Sequence, residues 1–352
     1  MTKRWIFALL ILIAAVIAAL LFSARPSATN SNAGINLTGS GSTFAIPLLD
    51  ACKTGYSSAT GNTYTYMGGG SGAGRTASDK GINDFNFSDT PHTAATRLAS
   101  VIHVPVIAAP IAVMYKLNLT APLKLSATTI AGIFGGTITK WNDSAIASEN
   151  TGVSLPAKTI QVIYRSDASG TTGNFTNFMH GMAPSIWSKT GNNDFKSSFP
   201  GNIASAANLG RVVGAAGSSG VAALAGSTSF SITYAEKSYA KAAGLSIASI
   251  KNAAGNFQTP DAAGTSAFLG AATVNQNGYL TFNYNTTVAN AYPLGIVSYA
   301  LVDTKSKNGA AIKSFLNFIV DPKCPATDPS LEYATITGPL LAVDQAQIAK
   351  IG

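Results

Sequence analysis

Charge is scarce in this chain. Of 352 residues only 15 are acidic and 23 basic, so charged side chains make up 11%, against an average of about 25%. Histidine is rarer still. His92, His103 and His180 are scattered and lack ligand spacing with the two cysteines, Cys52 and Cys324, which argues against a metal site. No Gly-Lys pair follows a glycine run, so there is no Walker phosphate loop, and neither His-Glu-x-x-His nor Gly-x-Ser-x-Gly occurs. A phosphatase would need a metal set or an activated nucleophile, and no second acid or histidine is placed to serve. The chain therefore reads as a non-enzyme without a cofactor. Dense basic runs with interleaved aromatics are also missing, which disfavours nucleic acid as a partner.

What fills the gap is Gly, Ser, Thr, Ala and Asn, the small polar surface usual in exported proteins. Lys3 and Arg4 precede an apolar run from Trp5 to Phe22 and then small residues, the signature of a secretory signal. The run is long for a signal peptide and nearly long enough to cross a bilayer, so residues 1–24 read as a signal peptide or a retained N-terminal anchor. Residues 25–35 read as a flexible linker. The formal charge is +8. Lys3 and Arg4 account for two of those charges, and the remaining mild positive field favours approach of anions. The length predicts two domains, and alternating short strands and helices predict α/β lobes.

Three segments carry most information. Tyr164-Arg165-Ser166-Asp167-Ala168-Ser169-Gly170-Thr171-Thr172 follows an apolar strand pattern and precedes a helical one. A helix N-terminus leaves backbone N–H groups unpaired and carries partial positive charge, and arginine adds a planar fork that fits the oxygens of phosphate or carboxylate. A capped turn with a surface arginine is the plainer reading of this segment alone. The second segment, Leu37-Thr38-Gly39-Ser40-Gly41-Ser42-Thr43-Phe44-Ala45-Ile46-Pro47, combines permissive glycines with an early-helix proline. In the third, Tyr66 to Arg75, successive glycines let main-chain N–H groups converge on an anion as a nest. The same glycines fit the degenerate dinucleotide pattern, a weak match in so glycine-rich a chain. Asp84 to Pro91 adds a short strand ending in an acid before a proline.

Taken in their order along the chain, the segments resemble the phosphate-binding protein of bacterial ABC phosphate importers, from about residue 36 to the end. The resemblance implies a two-lobed periplasmic-binding-protein-like α/β fold with a ligand cleft between the lobes. Residues 36–114 plus 288–352 would form the first lobe and residues 115–287 the second; the residue pattern itself reads as strands at Val101–Pro105 and Ile111–Tyr115, beside that crossing. It implies phosphate contacts from Thr43, Phe44 and Ser71, with Asp89 accepting the proton of the bound phosphate. From the other lobe it implies contacts by Arg165, Ser169, Gly170 and Thr171, and Asp167 as the carboxylate that holds the arginine. Thr137 to Asp143, Gly220-Val221 and Ile232 to Glu236 also look like family segments, whereas the Gly68–Gly74 loop is unusually glycine-rich.

The implied partners are inorganic phosphate and the membrane subunits of an ABC permease, served by a monomer in the periplasm or on the outer face of the membrane. A receptor for another oxyanion, sulfate or molybdate, and a surface phosphate sensor are the alternatives. If the C-terminal segment returns to the first lobe, Cys52 and Cys324 meet and an exported chain permits a disulfide between them; two unpaired buried thiols are the other reading.

Overall fold

The computed structural model describes residues 34–352, so the expected leader and nearly all of the linker lie outside the described residues. Eight strands lie along one sheet: β1 (Asn36–Gly41), β2 (Thr63–Gly69), β3 (Phe85–Ser88), β4 (Val101–Tyr115), β5 (Gln161–Arg165), β6 (Val212–Ala215), β7 (Ser231–Glu236) and β8 (Gly295–Asp303). Their spatial order is β2-β1-β3-β8-β4-β7-β5-β6, and a short ninth strand, Ser246–Ile247, also pairs with β4. Parallel pairs lie toward both ends of this path and antiparallel pairs at its middle.

β4 joins the two ends. Residues 101–110 pair with β8, and residues 111–115 pair with β7. The sequence predicts two strands here, Val101–Pro105 and Ile111–Tyr115, and Pro105 and Pro110, which cannot donate to a ladder, lie at or between them. The structure instead runs one strand from Val101 to Tyr115. Pro105 sits beside a register shift opposite Ser298 and Tyr299, and Pro110 lies where the strand changes partner. Both prolines thus fall where a regular ladder is already interrupted. Nearly every residue of β4 is buried, which explains its continuous apolar run in place of alternation.

Helices fill the connections: α1 (Ile46–Thr60), α2 (Ser71–Asp79), α3 (Ala127–Gly135), α4 (Gly170–Met182), α5 (Gly217–Ser227) and α6 (Gly309–Val320). α1 begins with Pro47 in its first turn and stops at Gly61 in the left-handed region, the usual asymmetry of helix ends. The helix α2 begins at Ser71, inside the Gly68–Gly74 stretch that reads as a loop in the sequence. The glycine run therefore forms a strand end and a helix N-terminus in place of a free nest.

Two aromatic clusters hold the elements that matter. Under the arginine turn, the Phe175 and Tyr234 rings stack at 4.3 Å, and Phe134 meets Phe175 edge-on at 4.8 Å. Under β1 to β3, Tyr56, Tyr64, Phe85 and Phe315 pack with centroid separations of 4.4–5.6 Å. The second cluster brings α6 onto α1, and just beyond α6 Cys324 is bonded to Cys52, across 272 residues of sequence. Loss of a native disulfide costs roughly 2–5 kcal/mol. Thermal unfolding of a Cys52→Ser/Cys324→Ser variant is expected several degrees below wild type, and reductant is expected to lower wild type to the same value. A transition unmoved by both would show that the bridge adds no stability. Among the described residues no helix is long and apolar enough to cross a membrane.

Candidate anion-binding site

Four helix N-termini converge on one buried spot. The first belongs to the short turn Thr43–Ala45 that leads into α1. Gly41, at φ +128°, ends β1 there, and a Cβ on it would stand 2.2 Å from the Phe87 carbonyl oxygen. Only glycine lets β1 lie this close to β3. Ser42 Oγ then accepts from Phe44 N at 3.1 Å, so the Phe44 amide already has an intramolecular partner.

The second N-terminus is that of α2. Gly70 lies at φ +85°, and its missing Cβ would fall 2.3 Å from Asp167 Oδ2; Gly72 N donates to Ala168 O at 2.8 Å. The unusual glycine content of this loop therefore serves close approach to the arginine turn from the other end of the sheet. Ser71, the first residue of α2, is buried; its Oγ accepts from Asp89 N at 3.1 Å and faces Asp89 Oδ2 at 3.5 Å.

The third is α4, capped by Ser169, whose Oγ accepts from Thr172 N at 3.2 Å. A Cβ on Gly170 would come within 2.4 Å of Ser71 Oγ and 2.8 Å of Asp89 Cβ, so the two helix starts nearly touch. Thr171 Oγ1 donates to Asp89 Oδ2 at 3.2 Å. The fourth is α5, whose Ser218 N donates to Thr43 Oγ1 at 3.2 Å, with the two hydroxyl oxygens 3.0 Å apart.

Arg165 ends β5 at the centre of this arrangement and is 1% exposed. Its Nε and Nη2 donate to the two oxygens of Asp167 at 2.7 and 2.6 Å, and Nη1 donates to Ser218 Oγ at 3.1 Å. Burial works against the arginine charge, but the bonds to Asp167 hold its pKa above the ordinary value. Burial likewise opposes the Asp167 charge, and Arg165 still holds that carboxyl below its usual range. Asp167 Oδ1 also accepts from Gly217 N at 3.0 Å, which ties the α5 start to the same pair.

Asp89 follows β3 and is buried, and no helix begins at Thr90, so it caps nothing. Its Oδ1 accepts from Ser298 Oγ at 2.7 Å. Burial raises its pKa, against hydroxyl hydrogen bonds from Ser42, Ser298 and Thr171 that pull the other way. Glu236, the last residue of β7, accepts from Ser218 Oγ at 3.1 Å and leaves its second oxygen without a partner. Burial pushes its carboxyl up to about 7.

Every residue expected from the sequence thus lies in this one region: Thr43, Phe44, Ser71 and Asp89 from β1 to β3 and their helices, and Arg165, Asp167, Ser169, Gly170 and Thr171 from the β5–α4 turn. Sequence reasoning missed Ser218, Glu236 and Ser298. Ser218 had a readable signal, Gly217-Ser218-Ser219-Gly220 before a helical pattern, the composition that marked the other turns. One guanidinium here faces three carboxylates, so an incoming anion must draw on the N–H and hydroxyl donors as well as on Arg165. Among the described residues no group of histidine, cysteine or acids could hold a metal ion.

Residues 25–323 match the family described as PBP superfamily domain. The chain is 33% identical over 311 residues to phosphate-binding protein PstS2 of Mycobacterium bovis (strain BCG / Pasteur 1173P2), covering 83% of this chain and 79% of that protein. It is 30% identical over 302 residues to phosphate-binding protein PstS of Xylella fastidiosa (strain Temecula1 / ATCC 700964), with 84% and 79% covered. Its fold resembles that of a high affinity periplasmic phosphate-binding protein (PfluDING) solved with phosphate bound, at a TM-score of 0.71 and 22% identity over 89% of this chain and 93% of the other. A match along most of the sequence, to relatives that share its two-lobed fold, sets the conclusion: this chain belongs to the PstS family of phosphate-binding proteins, within the periplasmic binding protein superfamily.

Proposed function

We propose that this chain binds inorganic phosphate outside the cytoplasm and delivers it to an ABC permease. The observation that carries the reading is Asp89, a buried acceptor set among helix N-termini, hydroxyls and one arginine. A site for a fully ionised oxyanion needs donors only. A carboxylate adds an acceptor, which suits an anion that still holds a proton. This argues against sulfate or molybdate as the cargo. Thr43, Phe44, Ser71, Asp89, Arg165, Ser169, Gly170 and Thr171 form the contact set in this reading, and Ser218 joins them.

The lobes are residues 36–114 with 288–352, and residues 115–287. They hinge where β4 passes from β8 to β7. Bonds such as Ser218 to Thr43 and Thr171 to Asp89 cross between them and close over the ligand, as in hinge-type binding proteins. Dehydrating phosphate is costly, and charge-assisted hydrogen bonds of about 1.5–3 kcal/mol each offset it. A handful reaches micromolar affinity, about −8 kcal/mol. The protein acts as a monomer at the membrane exterior, after export on the 1–24 segment.

Calorimetric titration of the anion-stripped protein tests the reading. One-to-one binding of phosphate with no sulfate heat is expected. Equal binding of both anions would overturn the selectivity argument, and no binding to folded protein would overturn the function.

A further inference from the structure

A polar cavity lies behind Asp89. It measures about 510 Å³, opens to solvent, and is lined by Arg75, Asp89, Thr90, Asn174 and Asn193 among others. Both ends of the sheet contribute to it. Among the described residues Arg75 is the only cation in its wall. All its side-chain bonds go to neutral oxygens: Nε donates to Ser88 Oγ at 3.1 Å, and Nη2 to the Thr90 carbonyl at 3.1 Å and to Thr90 Oγ1. Among the described residues no carboxylate bonds to it, in contrast to Arg165, although Asp89 and Asp79 lie within electrostatic reach. Nη1 takes part in none of these bonds.

Only a thin wall separates this cavity from the anion site. Asn174 Nδ2 donates to the carbonyls of Asp89 and Gly170, at 2.6 and 3.0 Å, while the Asp89 carboxylate turns to the other side, toward Ser298 and Thr171. The wall also carries the bond from Thr90 Oγ1 to Asn193 Oδ1 at 3.1 Å. Thr90 and Asn193 come from different lobes, as do Asn174 and Asp89. Parting of the two lobes would break these bonds and join cavity and site into one channel. Arg75 and Ser71 lie four residues apart on α2, so their side chains share a face about 6 Å apart.

We propose that this cavity is a capture subsite for the oxyanion, with Arg75 holding the arriving phosphate at the open mouth before it moves one helical turn inward to Ser71. The role follows from the charge balance inside. Asp89, Asp167 and Glu236 surround one arginine, a field that slows an approaching anion, and the Arg75 guanidinium at the mouth, bonded to no carboxylate, offsets it along the approach path. Steering of this kind acts on the association rate and fades as salt screens it.

The proposal rests on the phosphate reading above, and rapid-mixing kinetics with inorganic phosphate on the full chain keep the two apart. Arg75→Gln is expected to lower the association rate about tenfold at low ionic strength, to leave the dissociation rate within twofold, and to converge with wild type at high ionic strength. Arg75→Lys, which keeps the charge and loses the fork, is expected to retain most of the association rate. An association rate unchanged in Arg75→Gln, or a loss carried wholly by faster dissociation at every salt concentration, would overturn the proposal and leave Arg75 as a brace for the Thr90 turn. Wild type that fails to bind phosphate would overturn both readings together; wild-type binding with an unaltered Arg75→Gln rate overturns this one alone.

Discussion

Arg165→Ala is expected to weaken phosphate binding by two to three orders of magnitude. The substitution removes the one guanidinium that the described residues bring to a site that keeps three buried or half-buried carboxylates. Breaking a buried charge pair by deleting one partner costs roughly 3–5 kcal/mol, and each 1.4 kcal/mol is about tenfold in affinity. The geometry places the effect toward the upper part of that range. Asp167 now faces the ligand unneutralised, and Ser218 loses the donor that fixes its oxygen between Arg165 and Glu236.

Arg165→Lys separates charge from geometry. A lysine ammonium cannot serve both oxygens of Asp167 side by side and also reach Ser218, so an intermediate loss is expected. Asp167→Asn is the matching control. It keeps the arginine and removes the carboxylate that aligns it, and a smaller loss than in Arg165→Ala is expected. Calorimetric affinities for the three variants, each with thermal unfolding to establish folding, decide the matter. A folded Arg165→Ala protein with wild-type affinity would remove Arg165 from the site.

The parts of this site that were legible in sequence are those whose chemistry is local. A strand, a turn of serine, glycine and threonine, and a helix can be read from a dozen neighbours, and so the Arg165 turn and the Thr43 turn stood out. The start of α2 did not. Glycine disfavours helix by about 1 kcal/mol per residue, and four glycines between 68 and 72 read as loop; the contact of Gly72 with Ala168 outweighs that preference. Ser298 had no local signal at all. It lies inside the apolar run of β8, and only the antiparallel register that sets Tyr299 opposite Ser88 brings its hydroxyl to Asp89. Glu236 likewise had no signal of its own, because its partner Ser218 reaches it only once the α5 start packs against β7. Long-range pairing, which a local pattern does not encode, brings Ser298 and Glu236 into the site.

Asp89→Asn is expected to collapse the preference for phosphate over sulfate by about a hundredfold or more. At neutral pH sulfate is fully ionised, whereas phosphate keeps at least one proton. An ionised Asp89 offers acceptors only. It takes the phosphate proton and repels sulfate, which is selection by an unfavourable element as much as by a favourable one. Asparagine reverses half of this. Its amide can donate to any oxyanion, so sulfate gains, while phosphate loses its charged acceptor. The same logic sets a pH dependence. Burial holds the Asp89 carboxyl above its ordinary pKa, so as pH falls through that raised value the group becomes a donor. Sulfate binding to wild type is expected to strengthen with acidity over that range, and sulfate binding to Asp89→Asn to stay flat. Arsenate carries the same protons as phosphate and nearly the same shape, so it should compete in wild type at every pH. Competition of sulfate and arsenate against phosphate, measured across pH for both proteins, tests all three statements. An unchanged phosphate-to-sulfate ratio in Asp89→Asn would sink the proton-based selection and return Asp89 to a purely structural role among Ser71, Thr171 and Ser298.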